Sequence, residues 1–302
     1  MLQIELKLLL KVIREVWLSY NFFLKEGDSI GITAPASDFN KEHFLKGIEI
    51  IKKKGYFPVY NGALLDKSDN YLMNSDEFRK KDFESLLNNQ DIKIIMSARG
   101  GYGSIRTLNV LNKKLLLKSK KLIVGFSDIT AFHIFLNKNK MISVHGPMVA
   151  GLMRDEASTN HLFDILSGNK KYFIYDLIDN NNDRMEGVIT GGNLAVIASL
   201  TGTEYFYNFK NKIVLLEDLN EPLYKIDRMV MQLKLSGFAP KAIVLGHFMN
   251  CGDYDDIQRI FKENFNDIPV FSKINIGHLN STLSIPLGVK AIIENSKLYI
   301  GI

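Results

Sequence analysis

The chain has 302 residues, of which 46% are hydrophobic, 24% charged and 11% aromatic, a globular composition that excludes a disordered or collagen-like protein. Lys and Arg outnumber Asp and Glu by 38 to 33, an excess too mild for nucleic-acid binding, which needs a basic stripe or a recognisable module. The single cysteine, Cys251, excludes an internal disulfide and a Cys-rich zinc site and fits a reducing compartment.

Taken in chain order, residues 1–24 read as an amphipathic helical extension. Its apolar stretches, Leu8 to Leu10 and Val16 to Leu18, are broken by Lys7, Lys11, Arg14 and Glu15. No run approaches the roughly 18 residues that span a bilayer, so no integral membrane segment is expected. From residue 28, short apolar runs alternate with helical patterns, the signature of a parallel sheet covered by helices. Strands are expected at Ser29 to Ala34, Phe57 to Tyr60, Ile92 to Met96, Leu122 to Val124 and Met141 to Val144. Between them fall helices: one carrying Phe44, Ile48 and Ile51 and ending at Gly55, one capped by Ser75, one around Ile105 to Leu111, and one from Asp128 to Asn139.

Residues 168–185, with Asn180 to Asp183 forming a turn-prone cluster, read as a linker. Beyond it, strands are expected at Gly187 to Thr190, Ile213 to Leu216, Ala242 to Leu245, Ile268 to Phe271, Gly288 to Ile293 and Lys297 to Ile300. A helix opens with Pro222 and ends at Gly237. The fold class is therefore α/β: residues 25–167 form an N-terminal domain with a parallel sheet flanked by helices, and residues 186–302 a smaller β-rich α/β domain.

Several segments carry chemistry. Ala98-Arg99-Gly100-Gly101-Tyr102-Gly103 joins a strand to a helix and offers backbone N–H groups to an anion, yet it is neither a Walker A loop nor a dinucleotide fingerprint. A tight turn needing positive φ explains it equally well. Gly125-Phe126-Ser127-Asp128 puts a serine at a strand-to-helix turn, as a nucleophile elbow does, although Ile129 stands where the second glycine of that motif belongs; helix capping is the plain alternative. A serine nucleophile needs a base. Of six histidines, His133 sits on the far side of the helix that follows Ser127, and His43 and His161 read as surface residues. His145, His247 and His278 all follow strands, and their contexts do not choose among them. Glu217 ends a buried strand, where it could orient a base or cap the helix that follows.

These segments, in order from about Gly27 to the C-terminus, resemble the serine LD-carboxypeptidases, a family that includes murein tetrapeptide carboxypeptidases and microcin C immunity proteins. The resemblance is carried by Gly31 to Ser37, the Ala98 to Gly103 loop, Gly125 to Asp128, His145-Gly146-Pro147 and Gly191 to Leu194. It continues through Leu216-Glu217-Asp218, Asp227 to Met229, Gly277-His278 and Pro286 to Gly288. It implies a triad of Ser127, His278 and Glu217, an oxyanion hole from the backbone N–H groups of Gly101 and Asp128, and no metal or organic cofactor. It further implies a cytoplasmic homodimer that cuts the terminal D-alanine from murein tetrapeptides in cell-wall recycling. Arg99, Arg106 or a nearby helix N-terminus would read the substrate's free carboxylate, Arg99 having a structural ion-pair role as its alternative, and Tyr102 would also meet the substrate. The competing readings are an immunity-type amidase acting on peptidyl or aminoacyl nucleotides with the same triad, and a non-catalytic anion-binding α/β module.

Overall fold

In a computed structural model, which describes residues 22–66, 71–170, 172–178 and 184–301, β-branched runs become strands wherever helices cover both of their faces. In the N-terminal half these are β1 (Ser29–Thr33), β2 (Phe57–Tyr60), β3 (Ile92–Ser97), β4 (Leu122–Gly125) and β5 (Ser143–His145). They run parallel in the order β5-β4-β3-β1-β2. Helix α1 (Lys41–Lys53) buries Phe44, Ile48 and Ile51. Helix α2 (Asp76–Asn88) starts where the Ser75 hydroxyl accepts the Phe78 N–H at 3.1 Å, the expected cap. Two short helices, α3 (Ser104–Val110) and α4 (Lys113–Ser119), follow β3. A single 3-10 turn at Ser127–Ile129 then leads into α5 (Thr130–Lys138), where one helix from Asp128 was expected. Phe83 of α2 stacks on Phe132 of α5 at 5.2 Å, closing that side of the sheet.

After α6 (Glu156–Ser167), the stretch read as a linker contains β6 (Tyr172–Asp176). Its alternating exposure is that of an edge strand, and it pairs antiparallel with Lys297–Gly301. The Asn180 to Asp183 cluster and residues 1–21 of the expected N-terminal helix lie outside the described residues. Of the extension, Phe22 and Leu24 are buried, and the Leu24 N–H bonds to the Leu166 carbonyl at 2.8 Å.

The second sheet takes β7 (Met185–Asn193), β8 (Lys212–Leu219), β9 (Ala242–Met249) and β10 (Val270–Phe271) in parallel. It is extended by β12 (Lys290–Glu294), β13 (Lys297–Gly301) and β6, all antiparallel to their neighbours. Helices α7 (Leu194–Ser199), α8 (Leu223–Leu235) and α9 (Tyr254–Asn264) cover it. Pro222 is the residue before α8 rather than its first member, with extended ψ of 149°.

Strand β11 (Ile285–Leu287), unforeseen in the sequence, crosses over and pairs with β5 of the first sheet. It lies at the edge of that sheet, where a proline such as Pro286 is tolerated. This crossing ties the halves together, as do Asn193 N–H to Thr130 Oγ1 at 2.9 Å and Thr190 Oγ1 to Asn137 Oδ1 at 2.9 Å. The apolar core is continuous between them: Ile32, Val144, Ile189, Leu215, Ile276 and Ile293 belong to one buried cluster.

Candidate active site

The C-terminal ends of the parallel strands from both sheets converge, the usual location for a ligand site in open α/β sheets. After β4, Ser127 has φ of +61°, a left-handed backbone uncommon for a residue with a side chain. Such strain at a sharp strand-to-helix turn pushes the hydroxyl outward. Ser127 and His278 line two adjoining cavities of about 460 and 450 Å³, sharing Gly101 and Leu219 as further common wall.

The glycine loop packs directly on this turn: a Cβ added at Gly100 would stand 3.1 Å from Ser127 Cβ and 3.4 Å from the Asp128 nitrogen. Gly101 has φ of +96°, and a Cβ there would fall 2.3 Å from Ser37 Oγ, so both backbone and space demand glycine. Ser37 Oγ also receives the Tyr102 N–H at 2.9 Å, fixing the loop from the other side. The Asp128 carboxylate accepts the Ser104 N–H at 2.7 Å, and burial raises its pKa. Its side chain thus anchors the glycine loop, while its backbone N–H lies in the first turn, where such groups lack an intrahelical acceptor.

His278, on the loop after β10, donates from Nδ1 to Glu217 Oε2 at 2.7 Å. Glu217 lies at the end of β8 with no exposed surface. Burial alone would raise its pKa, but the imidazoles of His145 and His278 more than offset that and hold it at about 2. Burial likewise works to lower His278, and Glu217 outweighs it, leaving the imidazole pKa raised. The Phe126 ring packs at 4.8 Å from the His278 ring and limits its rotation. Gly277 permits this approach, because a Cβ there, at φ of +136°, would stand 3.3 Å from Glu217 Oε2.

The three histidines expected to follow strands are distinguished by position: His145 ends β5, His247 lies within β9, and His278 alone of the three is on a loop. His278 faces the cavities, His145 is buried with Nε2 3.8 Å from Glu217 Oε1, and half-buried His247 donates its backbone N–H to Ile276. His133 is fully buried. His43 is exposed, as read, but it lines the first cavity. His161 differs from its surface reading: half-buried against Phe173 and Tyr175, it accepts the Ser284 N–H at 3.2 Å, and burial lowers its pKa to about 4.

The two cavities differ in charge. Arg99 and Arg154 line the first, and Asp128, Asp218 and Glu221 the second, beside Tyr102. Burial, followed by backbone hydrogen bonding and the charge of Glu217, leaves Asp218 at about 6; it accepts from Asn193 Nδ2 at 2.8 Å and from the Ala195 N–H at 2.9 Å. Arg99 also donates to the Asp38 carbonyl at 2.8 Å. Arg106, an expected alternative for the substrate, is instead paired with Asp76 at 2.7 Å. Arg154 was missed because it sits in an irregular 3-10 stretch, Val149–Arg154, whose sequence has no motif spacing.

Two family models match the chain. Residues 30–146 match the LD-carboxypeptidase N-terminal domain and residues 186–293 the C-terminal domain. The chain is 27% identical to a probable murein peptide carboxypeptidase of Bacillus subtilis, over 91% of each chain. It is 28% identical to the microcin C7 self-immunity protein MccF of Escherichia coli, over 90% of this chain and 92% of that one. Among solved structures, muramoyltetrapeptide carboxypeptidase from Oxalobacter formigenes superposes with a TM-score of 0.81 at 30% identity, covering 91% of this chain and 99% of the other. With models for both domains matched in order and a similar fold over nearly its whole length, the chain belongs to the LD-carboxypeptidase family of serine peptidases.

Proposed function

We propose that this protein is a cytoplasmic serine LD-carboxypeptidase that removes the terminal D-alanine from murein tetrapeptides during cell-wall recycling, with Ser127, His278 and Glu217 as its triad. The observation that carries the reading is a left-handed serine sharing a cavity wall with an imidazole whose other nitrogen bonds a fully buried carboxylate. Ser127 Oγ attacks the amide carbonyl while His278 Nε2 takes its proton. The same proton is then given to the departing amine, releasing D-alanine and leaving an acyl-enzyme that water hydrolyses by the reverse sequence. Glu217 keeps the other proton on Nδ1 and stabilises the imidazolium. Backbone N–H groups of Gly101 and Asp128 receive the oxyanion, each such donor contributing about 3 kcal/mol to the transition state.

The division of charge supports a direction for the substrate. The cavity with Arg99 and Arg154 suits the free carboxylate of the leaving D-alanine. The cavity with Asp218 and Glu221 suits the ammonium of the diamino acid, with Tyr102 at its rim.

Similarity to MccF along most of both chains favours a second reading, an immunity-type amidase acting on aminoacyl nucleotides with the same triad. One experiment tests both. Purified protein and Ser127→Ala are incubated with murein tetrapeptide, the matching pentapeptide and aspartyl sulfamoyl adenosine, and the products are followed by mass spectrometry. D-alanine from the tetrapeptide alone, abolished in the variant, is the expected result. Cleavage of the nucleotide and neither peptide would replace the proposal with the amidase. Tight binding of an anionic ligand without turnover, indifferent to Ser127→Ala, would leave the non-catalytic module.

A further inference from the structure

Behind the Ser127 cavity, four buried polar atoms have no hydrogen-bond partner among the described residues: both ring nitrogens of His145, Oε1 of Glu217 and Nδ1 of His133. Unpaired buried polar atoms are costly, and here they are neighbours. His145 ends β5, opposite Gly125 of β4 and Ile285 of β11, and is 1% exposed. Its Nε2 stands 3.8 Å from Glu217 Oε1, just beyond hydrogen-bond length, while Oε2 of the same carboxylate holds His278 at 2.7 Å. Glu217 therefore has an imidazole facing each oxygen.

We infer that His145 is a positioning residue for Glu217, presenting its Nε2–H to Oε1 so that Oε2 stays aimed at His278; the inference rests on the proposed triad. The environment selects this state. A nitrogen lone pair turned towards a buried carboxylate oxygen repels it, so Nε2 carries the proton. His133 is a neighbour, its ring 6.2 Å from that of His145. Its Nε2 lies 2.9 Å from the Gly125 carbonyl, and because a carbonyl only accepts, the proton is on Nε2 and Nδ1 is a lone pair. Burial pushes His133 down to about 3, so it stays neutral and adds no charge beside the pair. Phe126, 5.7 Å from His145 and 4.8 Å from His278, packs against both rings. An accidental core histidine would not need to face the one free oxygen of the triad's carboxylate.

The test has a part that needs no turnover. Long-range proton–nitrogen correlation on isotope-labelled full-length protein, with the His145 signals assigned by their loss in His145→Gln, should show a proton on Nε2. A bare lone pair on Nε2 overturns the inference. The second part follows Ser127 labelling by a fluorophosphonate, which requires an activated serine and no murein peptide. His145→Phe, which keeps the ring volume and loses the donor, should slow labelling by about ten- to a hundredfold, the worth of one hydrogen bond to a charged group. His145→Gln, which restores an amide N–H, should recover most of that rate. Equal rates for wild type and His145→Phe, or equal slowing in both variants, overturn the positioning role. Should His145→Phe fail to fold, the tautomer in the native protein decides. A wild-type serine that does not label at all would sink the triad instead, and the tautomer would still decide the question for Glu217.

Discussion

Glu217→Gln keeps the shape of the carboxylate and removes its charge from a position without exposed surface. In the native site Oε2 accepts from His278 Nδ1 at 2.7 Å, which leaves Nε2 as the lone pair that takes the serine proton in the proposed mechanism. An amide offers one acceptor and one donor in place of two acceptors. With His145 presenting an N–H to the other oxygen position, the amide oxygen turns to His145 and the NH₂ turns to His278. His278 Nδ1 must then accept, its proton moves to Nε2, and the base is lost. A wrong tautomer of this kind costs about 10⁴-fold in kcat. Loss of charge with the tautomer intact costs only about ten- to a hundredfold, the contribution of one charge-assisted hydrogen bond. The assay is D-alanine release under saturating tetrapeptide, with Ser127→Ala as the floor and circular dichroism as the check on folding. We expect the larger loss in kcat with KM little changed. A fall of only the smaller size would refute the tautomer argument, and an unchanged kcat would remove Glu217 from the reaction.

The base must be neutral to act, and His278 is held above its ordinary value by Glu217, so kcat/KM should rise with pH through an apparent pKa above about 6.5. Stability runs the other way: the His278 contribution is complete below the unfolded-state value and is lost as pH rises through the folded one, so denaturant midpoints should soften as activity rises. A limb below the free imidazole value would contradict this. Arg154→Ala should raise KM for the tetrapeptide about tenfold, one hydrogen-bonded charge contact, with kcat nearly intact. It should also move the pH limb upward, because Arg154 opposes the charge on His278; an unchanged KM would take it out of carboxylate binding. Gly277→Ala forces a side chain into φ of +136° and against Glu217 Oε2. It should cost about 1–3 kcal/mol in urea unfolding and lower kcat more than it raises KM, whereas wild-type stability would show that the loop relaxes freely.

Much of this protein is legible in its residue order because local chemistry has local causes. Apolar runs such as Ile92 to Met96 and Ile213 to Leu216 become strands, Ser75 caps α2, and Gly125 to Asp128 gives the turn that exposes Ser127. β6 was not legible, since an edge strand with one covered face carries a weak pattern beside a polar, turn-rich stretch. β11 was hidden for a different reason: Ile285–Leu287 is too short to show periodicity, and its partner β5 lies far away in the chain. By itself, then, the sequence determined the α/β alternation, the serine at its strand-to-helix turn and the glycine loop, each the work of neighbours within a few positions. Choosing among His145, His247 and His278 needed the tertiary structure, because their strand-end contexts are alike and they differ only in what lies across the cleft. Crossing chain segments put His278 on one oxygen of Glu217 and His145 opposite the other, and the packing of those segments left His278 facing the cavities and His145 buried.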